Sequence, residues 1–277
     1  MYKIVFPTFR DDMNIQTKYY TTILILITLS SLSADYYYIP AAQLSMGNTG
    51  VASFSGSDGC FYNPAAIHTD NFSCAIGGAV PFQLAGVRTQ YLSLAKRLKN
   101  VSCALAYSEF GNDLYRETIV LAAAAFPLWK KIEAGIGIRR ERVEIVAYPS
   151  TTIISGTAGV IVPVTSRLCW GLSTCFASSD KKQQGQVLLQ TGLSARVEDE
   201  LIINCEVVSF FSGPPDFRAG CEWMLSDVLM LRAGFTTMPA TVCGGVGFSY
   251  NHWHIDYGLT FHPELGITHS ATARFCL

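Results

Sequence analysis

The sequence predicts an all-β fold: a transmembrane antiparallel up-and-down β-barrel of about 14 strands, preceded by an N-terminal plug segment. Three observations carry this reading. Strand-like runs recur between turn signals from residue 72 to the end. Ionised residues in the later runs all fall on one parity. Charge is also scarce, at 15% of 277 residues against roughly 25% in a typical soluble domain.

Taken in chain order, Thr21 to Leu32 (TTILILITLSSL) is an apolar run too short to span a bilayer, preceded by Lys18 and closing on the small residues Ser31, Ser33 and Ala34. Residues 1–34 therefore read as a signal peptide cleaved after Ala34, and a start at Met13 gives its n-region a more usual length. Residues 35–71 do not alternate. They are rich in Gly, Ala and Ser and contain an Asn63-Pro64 turn. A barrel of about fourteen strands is wider than the eight-strand case that side chains can fill. This segment is accordingly expected to fold into the lumen as a hatch rather than trail as a periplasmic tail. Gly47, Gly50, Gly56 and Gly59 lack the β-α-β setting of a phosphate loop and read as compact plug turns.

Residues 72–277 form the barrel. Strands are expected near 72–80, 85–95, 101–110, 116–126, 131–141, 153–163, 167–178, 186–197, 200–209, 216–225, 229–236, 242–250, 252–261 and 269–276. Short connections at 96–100, 127–130, 164–166, 198–199, 226–228 and 251 alternate with longer ones near 141–152, 179–185, 210–215 and 262–268. Short turns on one side and longer loops on the other is the outer-membrane pattern, and an even strand count leaves both ends in the periplasm.

In the closing stretch, Trp253, Ile255, Tyr257, Leu259 and Phe261 fall on one strand face, and His252, His254, Asp256, Gly258 and Thr260 on the other. Arg196, Glu206, Arg218, Glu222, Arg232, Asp256 and Arg274 share the parity of the small and polar set, opposite Leu193, Val207, Cys221, Leu231, Ile255 and Phe275. A lipid-facing Arg or Lys at mid-depth costs roughly 2–4 kcal/mol, so these charges, with His252 and His254, are expected to line a polar lumen. Gly135, Gly137, Gly171, Gly192, Gly220, Gly234, Gly245 and Gly247 share the inward parity, where a missing side chain lets strands curve or another segment pack on the wall. The early runs Val87 to Ala95 and Glu117 to Phe126 have mixed faces, which a bulge or packing against the plug would explain.

His252, His254 and Asp256, at i, i+2 and i+4, could present two imidazoles and an orienting carboxylate to a metal. Plain wall chemistry is the preferred reading, and no metal is expected. Arg196, Glu206, Arg218, Glu222 and Arg232 come from consecutive strands and read as a lateral charge ladder, either self-satisfied or a lane for a solute head group. GxSxG, HExxH and GxxxxGK[ST] are absent, so no catalytic residue, cofactor or enzyme activity is expected. A net charge of -1 gives no footprint for nucleic acid. The nine cysteines are scattered singly and read chiefly as small apolar fillers of strand faces, with room for a disulfide or two.

The run AAQLSMGNTGVASFSGSDGCFYNPAAI, with Met46, Gly47, Asn63, Pro64 and Ala65, resembles the opening of FadL-like outer-membrane barrels. RAGCEWMLSDVLMLRAGF and IDYGLTFHPELGITHSATARF, with Arg218, Gly220, Glu222, Arg232, Gly234, Asp256, Tyr257 and Glu264, resemble the closing strands of the PorV/PorQ branch. The middle matches in strand rhythm alone. This resemblance implies a fourteen-strand barrel with an N-terminal hatch. FadL-type members admit hydrophobic solutes, and PorV-type members hand over cargo in type IX secretion. The chain departs from both in its short outer loops. The leading expectation is a bacterial outer-membrane protein of the PorV/PorQ type in transport or as a type IX secretion accessory. A FadL-type channel for hydrophobic small molecules and a non-conducting structural or binding barrel are the alternatives. The expected partners are outer-membrane lipid and either a hydrophobic small molecule or secretion-system proteins.

Overall fold

The computed structural model describes residues 40–53, 55–84, 86–129, 131–178, 187–210 and 213–277. The expected signal peptide and the first residues of the expected hatch lie outside them. Fourteen strands follow in chain order: β1 (Phe72–Val80), β2 (Arg88–Leu98), β3 (Val101–Gly111), β4 (Tyr115–Trp129), β5 (Ile132–Ile145), β6 (Thr151–Pro163), β7 (Leu168–Ser178), β8 (Val187–Arg196), β9 (Leu201–Phe210), β10 (Asp216–Met224), β11 (Leu229–Thr237), β12 (Ala240–Tyr250), β13 (Trp253–His262) and β14 (Gly266–Cys276). Each pairs antiparallel with its sequence neighbours, and β1 pairs with β14 from Ser73↔Cys276 to Val80↔His269, so the sheet closes and leaves no free edge.

Alternation sorts side chains as a barrel in oil requires. Ile255 is 57% exposed on the outside, while the next residue, Asp256, is 1% exposed within. Trp129, Trp223, Tyr250 and Trp253 stand exposed near one rim, and Phe176, Phe217, Phe235 and Phe261 toward the other. Ile76, Leu105, Val120, Ile136 and Leu193 lie on the outer face with them. From Trp253 to Phe261 the chain runs about 27 Å along its strand, which with the usual tilt approaches the roughly 25 Å apolar band of outer-membrane barrels. Arg140, Arg142 and Glu144 do point outward, but they sit at the far end of β5, where Arg142 and Glu144 pair at 2.8 Å.

Both barrel termini and the turns at 99–100, 164–167, 197–200, 225–228 and 251–252 lie at one rim, the periplasmic one by the rule that these barrels keep short turns there. The opposite rim is barely more elaborate. The connection expected over 262–268 is a three-residue turn, 263–265, because Gly266 adopts φ +94° and lets β14 start early, in register with His262. The connection expected over 141–152 shrinks to 146–150 as β5 and β6 run on.

Inside the barrel lie the described residues from Pro40 to Ile67. They comprise a one-turn helix α1 (Ala41–Ser45), a 3-10 turn at Ser57–Phe61 and another at Pro64–Ala66, and nearly every described residue from Pro40 to Ile67 is buried. Asn63 starts the last turn because its side-chain oxygen accepts the Ala65 N–H while Pro64 supplies a helical φ at the first position.

Candidate functional site

The inner segment follows a track of inward glycines. Ser45 lies against Gly245 and Gly258, the Met46–Gly47 backbone against Gly220 and Gly234, Val51 and Ala52 against Gly171, Asn63 against Gly159, and Pro64 and Ala65 against Gly135. A Cβ at any of these would approach the segment closer than 3.0 Å, so glycine is required for contact rather than for curvature. The motif residues Met46, Gly47, Asn63 and Pro64 are thus among the points where the inner chain touches the wall. Gly47 also turns the chain at φ +67°.

On β8–β14 the contacts are polar. The Glu206 carboxylate accepts the backbone N–H groups of Gly50 and Val51, the latter at 2.6 Å. Arg218 pairs with Asp216 of its own strand at 2.6 Å and donates to the Asn48 carbonyl at 3.4 Å. Arg232 bridges Glu222 at 2.5 Å and Asp256 at 2.7 Å. Arg274 donates to Asp58 of the inner segment at 2.7 Å, and the Ser93 hydroxyl donates to the other Asp58 oxygen at 2.7 Å. Asn63 donates its amide to the Val51 carbonyl at 2.7 Å, closing the segment on itself.

The expected lateral charge ladder forms only in part, where Glu222 and Arg232 pair across β10 and β11. Glu206 reaches the inner segment instead, and Arg218 pairs within its strand. Arg196 is exposed at the end of β8, where it faces the lumen mouth. His252 lies one residue before β13, exposed at the lumen mouth, where it borders the same cavity as His254 and Asp256 with its ring 5.9 Å from that of Phe275. His254 is half-buried beside the lumen. Among the described residues no group of His, Cys, Asp and Glu is placed to hold a metal. All nine cysteines are free thiols.

On β1–β4 the wall presents an apolar patch beside the Ser73 and Ser93 hydroxyls, which meet Ser57 and Asp58. Phe61 and Tyr62 of the inner segment pack with Ala75, Tyr91, Ala95, Ala104, Ala106, Leu121, Ala123 and Ala125 in one cluster. Phe61 meets Tyr91 edge-on at 5.7 Å, and the Tyr91 hydroxyl bonds Thr272 at 2.8 Å. The mixed faces of the early runs come from this plug packing, which puts Ile119 and Leu121 inward; the register shift in β4 lies at Pro127/Trp129, at the strand's end. Burial, with Asp58 nearby, pushes the Cys60 thiol well above its ordinary range and leaves it inert.

Sequence reasoning missed Asp58, Asp216, Phe61 and Tyr91. Asp216 was within reach, since it lies two residues before Arg218 on the same face. Nothing local marks Asp58, whose role appears only when β14 brings Arg274 against it.

Beneath the plug, toward the periplasmic rim, is a cavity of about 770 Å³ bordered by Gln43, Thr69, Glu222, Arg232, Asp256 and Arg274. A second, of about 420 Å³, lies at the opposite rim between the β3–β4 and β5–β6 connections, next to exposed Leu114 and Tyr148. The first is within the size range of small-molecule sites.

No family model matches the chain, and no curated protein matches it. Solved structures do. The toluene transporter TbuX of Ralstonia pickettii superposes with a TM-score of 0.68 at 12% identity, covering 86% of this chain and 98% of its own. The monoaromatic hydrocarbon channel CymD gives 0.65 at 13% identity over 86% and 97%. A FadL homologue of Pseudomonas aeruginosa gives 0.60 at 10% identity over 87% and 99%. With its closed fourteen-strand wall and apolar exterior, the chain has the fold of FadL-type barrels, and it is a protein of the bacterial outer membrane.

Proposed function

We propose that the protein is an outer-membrane channel for small apolar molecules, with residues 40–71 as its hatch and no catalytic step of its own. The observation that carries this reading is the way the inner segment is seated. It crosses the lumen on bare glycine backbone, held by side-chain contacts rather than by strand pairing, among them Asp58–Arg274, Asp58–Ser93, Glu206 to Gly50 and Val51, and Asn48–Arg218. A segment held so can leave its seat without breaking the barrel ladder. Where it rests on β1–β4 it covers an apolar surface suited to solutes such as the toluene and monoaromatic hydrocarbons named for the neighbouring structures. Outer-membrane lipid contacts the outer face, and a hydrophobic small molecule is the cargo.

The test is uptake of labelled toluene by cells with and without the gene. A deletion strain with lowered uptake, restored by the intact gene, supports the channel. Unaltered uptake together with no conductance in planar bilayers leaves a non-conducting barrel. The PorV/PorQ-type reading draws on the closing strands, where Arg218, Glu222, Arg232 and Asp256 carry the resemblance. It predicts instead that deletion removes proteins from the cell surface while toluene uptake stays the same.

A further inference from the structure

The outer face of the barrel carries an asymmetry that solute passage does not use. Among the described residues, no Lys, Arg, Asp or Glu lies on the outward parity of β6–β14 or of β1, as a wall in oil requires. The charges that do face outward are confined to β2–β5. Lys96 lies at the periplasmic end of β2; Arg88, Glu109, Arg116, Arg140, Arg142 and Glu144 gather at the opposite, extracellular end. Four guanidiniums there face two strand carboxylates, with Asp113 in the turn beyond.

Both strand carboxylates are engaged. Glu109 accepts the Tyr107 hydroxyl at 2.7 Å and lies 3.7 Å from Arg116, and Glu144 pairs with Arg142 at 2.8 Å. Arg140 has no ion-pair partner among the described residues, and its surroundings are aliphatic. It pairs in register with Val120 of β4 and Ile154 of β6, the outermost apolar residues on the outer faces of those strands, while Ile138 precedes it on its own face. All three are exposed. The Arg140 guanidinium therefore stands at the outer edge of the apolar band, and Arg142 follows one step beyond, roughly 7 Å along the strand. That edge is where lipid headgroups begin, and the cost of a lipid-facing arginine falls steeply there. The parallel N–H donors of a guanidinium match the oxygens of a phosphate, and two such side chains one step apart on a face can share one phosphate group.

We propose that the outer face of β4–β6 carries a binding site for a phosphate-bearing lipid of the outer leaflet. Its phosphate sits on Arg140 and Arg142, and an acyl chain runs down over Ile138, Val120 and Ile154. The aliphatic floor selects a lipid over free phosphate, because a free anion gains nothing from it. Only the placement of the barrel in the outer membrane is needed for this site, not the passage of a solute through it.

Native mass spectrometry of the intact, detergent-solubilised protein tests this with lipid A, its dephosphorylated form and inorganic phosphate as probes. Lipid A is expected to bind saturably, one molecule per barrel. Dephosphorylated lipid A should bind at least about tenfold more weakly, as befits loss of a charged hydrogen bond, and excess inorganic phosphate should not displace lipid A. Arg140→Gln should weaken lipid A binding by about tenfold or more. Lys96→Gln, which removes an outward cation at the other end of the wall, should leave it unchanged. If Arg140→Gln fails to fold, as judged by heat-modifiable gel mobility, Arg142→Gln decides in its place. Equal binding of the two lipids, displacement by inorganic phosphate, unchanged affinity in the folded arginine variant, or an equal loss in Lys96→Gln would overturn the proposal. None of these readouts depends on toluene uptake, so failure here and failure of the channel reading are distinguishable.

Discussion

Where the inner wall of β1–β4 meets the plug it offers mainly alanine methyls to the rings of Phe61 and Tyr62, with the Ser73 and Ser93 hydroxyls beside them, whereas β8–β14 offer carboxylates, guanidiniums and bare glycine backbone. The first contact is non-directional and tolerates sliding; the second fixes register, because an ion pair or a carboxylate on two N–H groups works in one position only. The two halves therefore divide the labour of seating the plug. The apolar half supplies burial, and the polar half supplies position.

The sharpest break in that division is Asp58→Ala. Asp58 is fully buried, so its removal leaves Arg274 in the lumen without its partner, a loss of about 3–5 kcal/mol in plug seating. Protease susceptibility of residues 40–71 should rise and single-channel conductance should increase, with the barrel still heat-modifiable on gels. The double variant Asp58→Ala/Arg274→Met should recover much of the protection, since no charge is then stranded. Full protection in the single variant would show that the polar half does not position the plug.

On the other half, Phe61→Ala should cost about 3 kcal/mol by emptying the alanine-walled recess opposite Tyr91. Its signature differs from that of Asp58→Ala. Hydrogen exchange should quicken around residues 57–67 and leave the amides of Gly50 and Val51, held by Glu206, protected. If both amides exchange together with the 57–67 stretch, the plug opens as one unit and the two halves are not independent.

This division also explains what the sequence made legible. Strand parity is plain where the inside is charged, and Arg218, Arg232, Asp256 and Arg274 were placed inward from alternation alone. It blurs in β2 and β4, where Tyr91, Ala95, Ile119 and Leu121 face inward against the plug, so apolar residues stand on both faces. The inward glycines were visible as a set, but their purpose required the path of residues 45–65. The pairing of charges was not legible. Long-range partners such as Asp58 and Arg274 are set by barrel closure and plug depth, neither of which leaves a local pattern. Alternation does not show where a strand stops: His252 borders the lumen as expected, but from the turn before Trp253 rather than from β13.

A smaller effect tests the glycine track. Gly234→Ala places a methyl against the Met46–Gly47 backbone and should cost about 1–3 kcal/mol of plug seating, since the neighbour is main chain and cannot rotate away. Gly156→Ala is the matched control: its methyl meets nothing within 4 Å and should leave protease protection unchanged. Similar losses at both positions would mean that glycine serves the bending of strands rather than contact with the plug.

The smallest expected effect separates place from chemistry. Arg167 and Asp199 form an ion pair at the periplasmic rim at 3.8 Å, with side chains 61% and 84% exposed, while Arg232 and Asp256 form one inside at 2.7 Å, 5% and 1% exposed. Asp199→Ala should change barrel stability in urea by under about 1 kcal/mol, because solvent screens the pair and two mobile side chains give up freedom to hold it. That small change should vanish at high salt, where charges beyond a few ångströms are screened. The inner pair should be insensitive to the same salt, because Asp256 and the Arg232 guanidinium are shielded from ions by wall and plug. Salt dependence at the inner pair equal to that at the rim would mean that bulk solution reaches the base of the plug, and the polar half would then position it far less firmly than its geometry implies.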